Sequence, residues 1–194
     1  MLADLPSALL PTSVEVFSLS KGNEIRVPKA TPSFIRWHGD PIPNDRGKKP
    51  VLDWGGEPLF AELVILRLLQ TKGWEGVWVD TYGKARRRSL YDNVLLPEQA
   101  ESLLKRIRIR AGIDGGCFDV FVWKEDEIMF AESKRAGRDR FRASQLRWLD
   151  GALQSGLQVR SFLVVEWSLK KEPNHADGAN SRFALAAHPG RYSL

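Results

Sequence analysis

Asp119 interrupts an apolar run, CFDVFVW, and Glu132 and Lys134 close another, IMFAESK. Carboxylates in such runs are costly unless they are paired or bind a cation. Strand side chains alternate faces with a period of two. Asp119 then shares a face with Phe121 and Trp123, and Glu132 and Lys134 share one with Ile128 and Phe130. Counted outward from the turn at Lys124, Glu125, Asp126 and Glu127, Asp119 and Glu132 come level if the strands form a hairpin. Two carboxylates at one place suit a hard divalent cation, which takes oxygen ligands and keeps waters for a substrate phosphate. Asp119 and Glu132 would be ligands to Mg²⁺ or Mn²⁺, and the backbone carbonyl of Ser133 could add a third oxygen. Lys134 would orient an attacking water or stabilise charge growing on a phosphorane. The chemistry indicated is metal-assisted hydrolysis of a phosphodiester.

Several elements must position these groups. Residues 57–72 are expected to form a helix, with Pro58 at its first position and Gly73 as its stop. Glu62 would share its apolar face with Leu59, Leu66 and Leu69, so it joins the candidate site as a ligand through water or to a second metal. Glu57 competes, but an acid at a helix start is explained by the dipole. A strand over 74–81, a basic loop to Ser89 and a helix over 97–111 follow. Then come strands at 117–124 and 128–134, a basic loop at 135–142, a helix over 143–155 stopped by Gly156, and a strand at 158–166. This order predicts an α/β or α+β sandwich around a mixed sheet.

Seven of the eleven prolines fall in residues 1–50, so that stretch reads as an irregular extension carrying strand-like pieces at 14–19 and 24–27. The domain itself is expected over 51–169, with a polar tail at 170–194. The 194 residues carry 29 Lys plus Arg against 24 Asp plus Glu, a formal charge of +5, which favours a polyanionic partner. The single cysteine, Cys117, excludes an internal disulfide framework and a Cys-based zinc site. It falls in a predicted core strand and reads as a buried, inert thiol. His38, His175 and His188 make no metal-ligand spacing. No apolar run is long enough for a membrane span, and the N-terminus lacks signal-peptide features. A cytoplasmic, non-membrane protein is therefore expected.

Three parts of this pattern resemble the PD-(D/E)XK nuclease superfamily, and within it the VRR-NUC (virus-type replication-repair nuclease) family. Gly115-Gly116-Cys117-Phe118-Asp119-Val120 is similar to the Gly-rich lead into the metal-binding Asp. Glu132-Ser133-Lys134 is similar to the Glu-x-Lys. The segment from Ser144 and Gln145 through Trp148 and Leu149 to Gly156 is similar to the family's helix with a functional Gln. Glu62 would match the Glu of the first core helix. The resemblance covers roughly residues 57–167. It implies a restriction-endonuclease-like core in the order helix, strand, (helix), strand, strand, helix, strand. It also implies that Asp119 and Glu132 are metal ligands, Lys134 the catalytic lysine and Gln145 a positioning residue. Phe118 departs from the proline in the family name, and a basic helix intervenes before Asp119.

The implied activity is a Mg²⁺- or Mn²⁺-dependent deoxyribonuclease acting on structured or branched DNA in replication, repair, recombination or mobile-element biology. Backbone phosphates would be held by Arg135, Arg138, Arg140 and Arg142, next to the Glu-x-Lys, and by Lys84, Arg86, Arg87 and Arg88. Lys105, Arg106, Arg108 and Arg110 read equally well as a solvated helix face. A homodimer or a larger repair or replication assembly is compatible with such a domain. Two alternatives remain open: a nuclease-like DNA-binding or accessory subunit without activity, and an unrelated α+β protein. Asp119 and Glu132 on opposite faces of the sheet would favour the last.

Overall fold

A computed structural model describes residues 4–19, 22–43, 49–80 and 85–171. Its described residues form a mixed α/β fold with three α-helices and one large mixed sheet. The strands are β1 (Ser13–Ser18), β2 (Glu24–Ala30), β3 (Ser33–Phe34), β4 (Leu52–Trp54), β5 (Glu57–Leu59), β6 (Glu75–Asp80), β7 (Ala85–Arg87), β8 (Val120–Lys124), β9 (Glu127–Arg135) and β10 (Phe162–Leu169). The helices are α1 (Ala61–Gln70), α2 (Glu98–Ala111) and α3 (Ala143–Gln154). The sheet runs β1-β2-β10-β9-β8-β6-β7, and β3 continues the β2 side along β10. β9 and β10 are parallel, joined by the α3 crossover, and β8 is antiparallel to both its neighbours.

Alternation divides the core into two layers. Val120, Val122, Met129, Ala131, Leu163 and Val165 face α1. Phe121, Phe130, Phe162 and Val164 face α2 and α3. The second layer is aromatic. Phe121 and Phe130 stack at 4.5 Å between centroids, and Trp148 of α3 meets Phe130 edge-on at 4.8 Å. Burying one such ring contributes about 1.5–3 kcal/mol, so α3 is fixed against the sheet through Trp148.

Four expectations are corrected. The helix expected over 57–72 is shorter. Gly55 and Gly56, both at positive φ, turn the chain back on itself, so β4 and β5 pair as a hairpin. Pro58 lies in β5 opposite Asp53, Leu59 also lies in β5, and the helix starts after Phe60. The irregular N-terminal extension is instead part of the sheet. β1 and β2 pair along six residues, and β2 joins β10 through Lys29 and Ala30. The prolines mislead because Pro11 and Pro32 flank these strands rather than interrupt them. Pro28, inside β2, lies just before the short pairing with β10. The sheet thus crosses the boundary drawn at residue 50. The strand expected at 158–166 begins at Phe162, after a 3-10 turn at Val159–Ser161, and continues to Leu169. The loop expected from 80 to 89 contains β7, paired with β6. The helix at 97–111, the turn at 124–127 and the helix stopped by Gly156 lie within a residue or two of expectation. The tail beyond Lys171 lies outside the described residues. No described helix is long and apolar enough to cross a membrane.

α2 and α3 cross where Gly151 meets Ala111. A Cβ at Gly151 would lie 2.6 Å from the Ala111 amide nitrogen and 2.7 Å from its Cβ. Gly151→Ala is expected to cost about 1–3 kcal/mol through overpacking. That is read as a lower urea midpoint with an unchanged slope.

Candidate functional site

The β8–β9 register places the site. Val120 pairs with Ala131 and Lys124 with Glu127, so Asp119 and Glu132 come level one step beyond the last pair. Residues opposite one another on antiparallel strands point to the same face. The two are tied directly. The Asp119 amide donates to Glu132 Oε2 at 3.2 Å, and the Ser133 amide donates to Asp119 Oδ2 at 3.1 Å. β8 begins only at Val120 rather than at Cys117, yet the Asp119 carbonyl still accepts from the Val79 amide at 2.7 Å.

Glu132 is only 1% exposed. Its Oε1 accepts from Lys134 Nζ and from Gln145 Nε2. Gln145 is held in turn, because its Oε1 accepts the Arg142 amide at 3.0 Å and Lys134 Nζ at 3.3 Å. The Arg142 bond caps the start of α3 and fixes the amide so that its nitrogen faces the carboxylate. Lys134 Nζ lies 4.7 Å over the ring of Phe141, a cation–π contact that shields it from water. Gly116, at φ 88°, permits this approach, since a Cβ there would lie 2.2 Å from the Ser144 carbonyl oxygen.

These groups line a cleft of about 640 Å³ at one end of the sheet. Glu62, in the first turn of α1, also lines it, and its Oε1 is 2.5 Å from Lys49 Nζ. Both α1 and α3 therefore present their N-terminal turns to the cleft, where their dipoles favour an anion. Arg138, Arg140 and Arg142 form the rim and are exposed. Arg135 is half-buried, 5.8 Å from the Trp167 ring centroid. The Ser133 amide donates to Asp119, and the Ser133 hydroxyl oxygen accepts from Trp167 Nε1 at 3.0 Å.

The second basic group divides. Arg86 pairs with Glu101 at 2.7 Å, and Arg87 pairs with buried Asp80 at 3.2 Å. Arg88 is exposed, and Lys84 lies outside the described residues. Lys105, Arg106 and Arg110 line a separate open groove beside Gln154. Cys117 is buried as expected, just before β8, and burial pushes its thiol well above the ordinary value.

Three cleft residues escaped the sequence reading. Asp80 carried a readable signal, a carboxylate ending the apolar run of β6, as Asp119 interrupts that of β8. Lys49 and Asp139 lie in polar segments with no periodicity to mark them.

Loss of water around its carboxylate, then the charges of Glu132 and Glu62, hold Asp119 well above the usual carboxylate range. Burial also raises Glu132, against the lowering effect of Lys134 and of its hydrogen bonds. Asp119 and Glu132 are the pair that could hold a cation, and a cation would relieve this repulsion. Among the described residues no three His, Cys, Asp or Glu side chains gather into a closed cage. Two carboxylates on an open cleft still fit Mg²⁺, which takes one or two and completes its shell with water and phosphate. A carboxylate has about four lone-pair sites, so hydrogen-bonded oxygens retain acceptor capacity.

Comparison of the chain with protein-family models, with curated proteins and with solved structures finds no match.

A carboxyl whose folded pKa exceeds its unfolded value favours folding below the unfolded pKa, and that advantage is lost as pH rises through the folded pKa. Without metal, Asp119→Asn is therefore expected to raise the melting midpoint at neutral pH by roughly 2–4 °C. The gain should vanish below the ordinary aspartate range. A calorimetric pH series checks it, and a variant that is less stable at neutral pH contradicts the assignment.

Proposed function

We propose that the chain is a Mg²⁺- or Mn²⁺-dependent deoxyribonuclease of the PD-(D/E)XK type, acting on structured or branched DNA. One observation carries the reading: Asp119, Glu132, Lys134 and Gln145 converge in one hydrogen-bonded cluster on a cleft rimmed by arginines. The element order α1, β6, (α2), β8, β9, α3, β10 supports a restriction-endonuclease-like core.

Asp119 and Glu132 hold the cation in this reading. When bound, it supplies Lewis-acid polarisation of a phosphoryl oxygen and a more acidic water. Lys134 Nζ, anchored on Glu132 and over Phe141, orients the attacking water and stabilises negative charge on the phosphorane. Gln145 keeps Lys134 and Glu132 in register. The exposed Arg138, Arg140 and Arg142 hold backbone phosphates without reading sequence. Arg86 and Arg87, committed to Glu101 and Asp80, serve the architecture of the β7 edge instead.

The test is cleavage of labelled single-stranded, duplex, flapped and four-way DNA with Mg²⁺ or Mn²⁺. Metal-dependent cutting is expected, and Lys134→Met should lower the rate by about 10²–10³-fold, the size of losing one preorganised charge stabiliser. Tight binding with no cutting under either metal would replace this reading with an inactive DNA-binding subunit. Arg140→Ala should weaken binding to all DNAs alike and reduce the salt slope by about 1. A sequence-dependent loss would contradict a phosphate contact.

A further inference from the structure

The cleft holds two lysines in matching settings. Lys134 pairs with Glu132 and lies over Phe141 on the α3 side. Lys49 pairs with Glu62 on the α1 side, at 2.5 Å, and its ammonium lies 5.5 Å from the Trp78 ring centroid and 5.9 Å from that of Phe60. Glu62 is almost fully buried, and its partner is the end of a flexible stem from the segment before β4. Both residues line the same cleft as Asp119 and Glu132, and the charges of Glu62 and Lys49 are both felt at Asp119.

We propose that Lys49 is a tethered counter-cation for Glu62, so that the cleft accepts a single divalent ion, at Asp119 and Glu132. The proposal rests on the metal-dependent reading above. A buried carboxylate needs a positive partner, and Lys49 already supplies it. The Trp78 and Phe60 faces stabilise the ammonium in place. A second divalent ion at Glu62 would have to expel that ammonium from both rings. The charge that a two-metal site takes from its second ion is here built into the chain. The expectation of Glu62 as a metal ligand is thereby replaced by a role for Glu62 in holding Lys49 at the cleft wall.

The test counts Mn²⁺ bound per chain, by calorimetry and by the paramagnetic resonance signal of free Mn²⁺, without DNA. The full chain is expected to bind one ion. Lys49→Met, which keeps an apolar stem against the rings, is expected to bind two, and Lys49→Met combined with Glu62→Gln to return to one. Lys49→Arg and Glu62→Gln alone should each bind one, which keeps the question answerable should Lys49→Met fold poorly. Two ions on the wild type, two on Lys49→Arg, one on a folded Lys49→Met, or none on Glu62→Gln would each overturn the proposal. No ion on the wild type would overturn the metal reading itself along with it. One ion on both wild type and a folded Lys49→Met would overturn the proposal and leave the metal reading standing.

Discussion

Phe121 and Phe130 face each other across the β8–β9 hairpin with ring planes 7° apart, and this pairing holds the register on which the candidate site depends. A slip of one residue would turn every side chain of one strand to the other face. Phe130 would leave the aromatic layer under α3, and Glu132 would leave Asp119. The slip is opposed by the whole layer, because Phe130 also packs on Trp148 and Phe162. The same residues that bury apolar area therefore set the distance between two carboxylates. The turn at Glu125 and Asp126 adds a local constraint, with Glu125 held at φ 52°.

Onto that frame the chain places charges that are unfavourable one by one. An unpaired buried carboxylate would cost several kcal/mol. Here each is matched: Glu132 with Lys134, Glu62 with Lys49 and Asp80 with Arg87. Asp119 differs: its carboxylate is held by the Ser133 amide, and burial with the charges of Glu132 and Glu62 pushes it well above the usual carboxylate range. The aromatic rings serve twice, as core and as faces for Lys49 and Lys134. A site of this kind concentrates repulsion at one carboxylate and surrounds it with charges that are already paired. That is the electrostatic setting in which a divalent cation would gain most.

The parts legible in the sequence are those governed by short-range periodicity. Counting from the turn brought Asp119 level with Glu132, and the alternation of Phe121, Phe130 and Glu132 assigned their common face. α2 was readable from the spacing of Leu103, Leu104 and Ile107, and α3 from the Gly156 that stops it. Where the sequence misled, the deciding contact was remote or the turn chemistry competed. Pro58 suits a helix start, but Gly55 and Gly56 made a hairpin available first. The N-terminal strand-like pieces at 14–19 and 24–27 are β1 and β2, but their place in the main sheet was hidden because β2 joins it through β10, more than a hundred residues away. Lys49 could not be found by any spacing, since only the fold brings it to Glu62. Glu62 itself was singled out by its apolar neighbours, and the reason it tolerates them is that ion pair.

The N-terminal hairpin illustrates how far the site reaches. Phe17 of β1 meets Phe141 edge-on at 4.6 Å, and Phe141 is the ring beneath the Lys134 ammonium. Phe118, one residue before Asp119, contacts Phe141 as well, at 6.2 Å. Phe141 belongs to the exposed loop between β9 and α3 and would be free to swing without these partners. Its position is thus determined by a strand from the start of the chain and by the residue next to Asp119. The hairpin adds two strands at the sheet edge, and through Phe17 it also closes the wall that keeps water from Lys134. A segment that composition marks as an extension is in this way coupled to the electrostatics of the cleft, through three rings as well as through the β2–β10–β9 ladder.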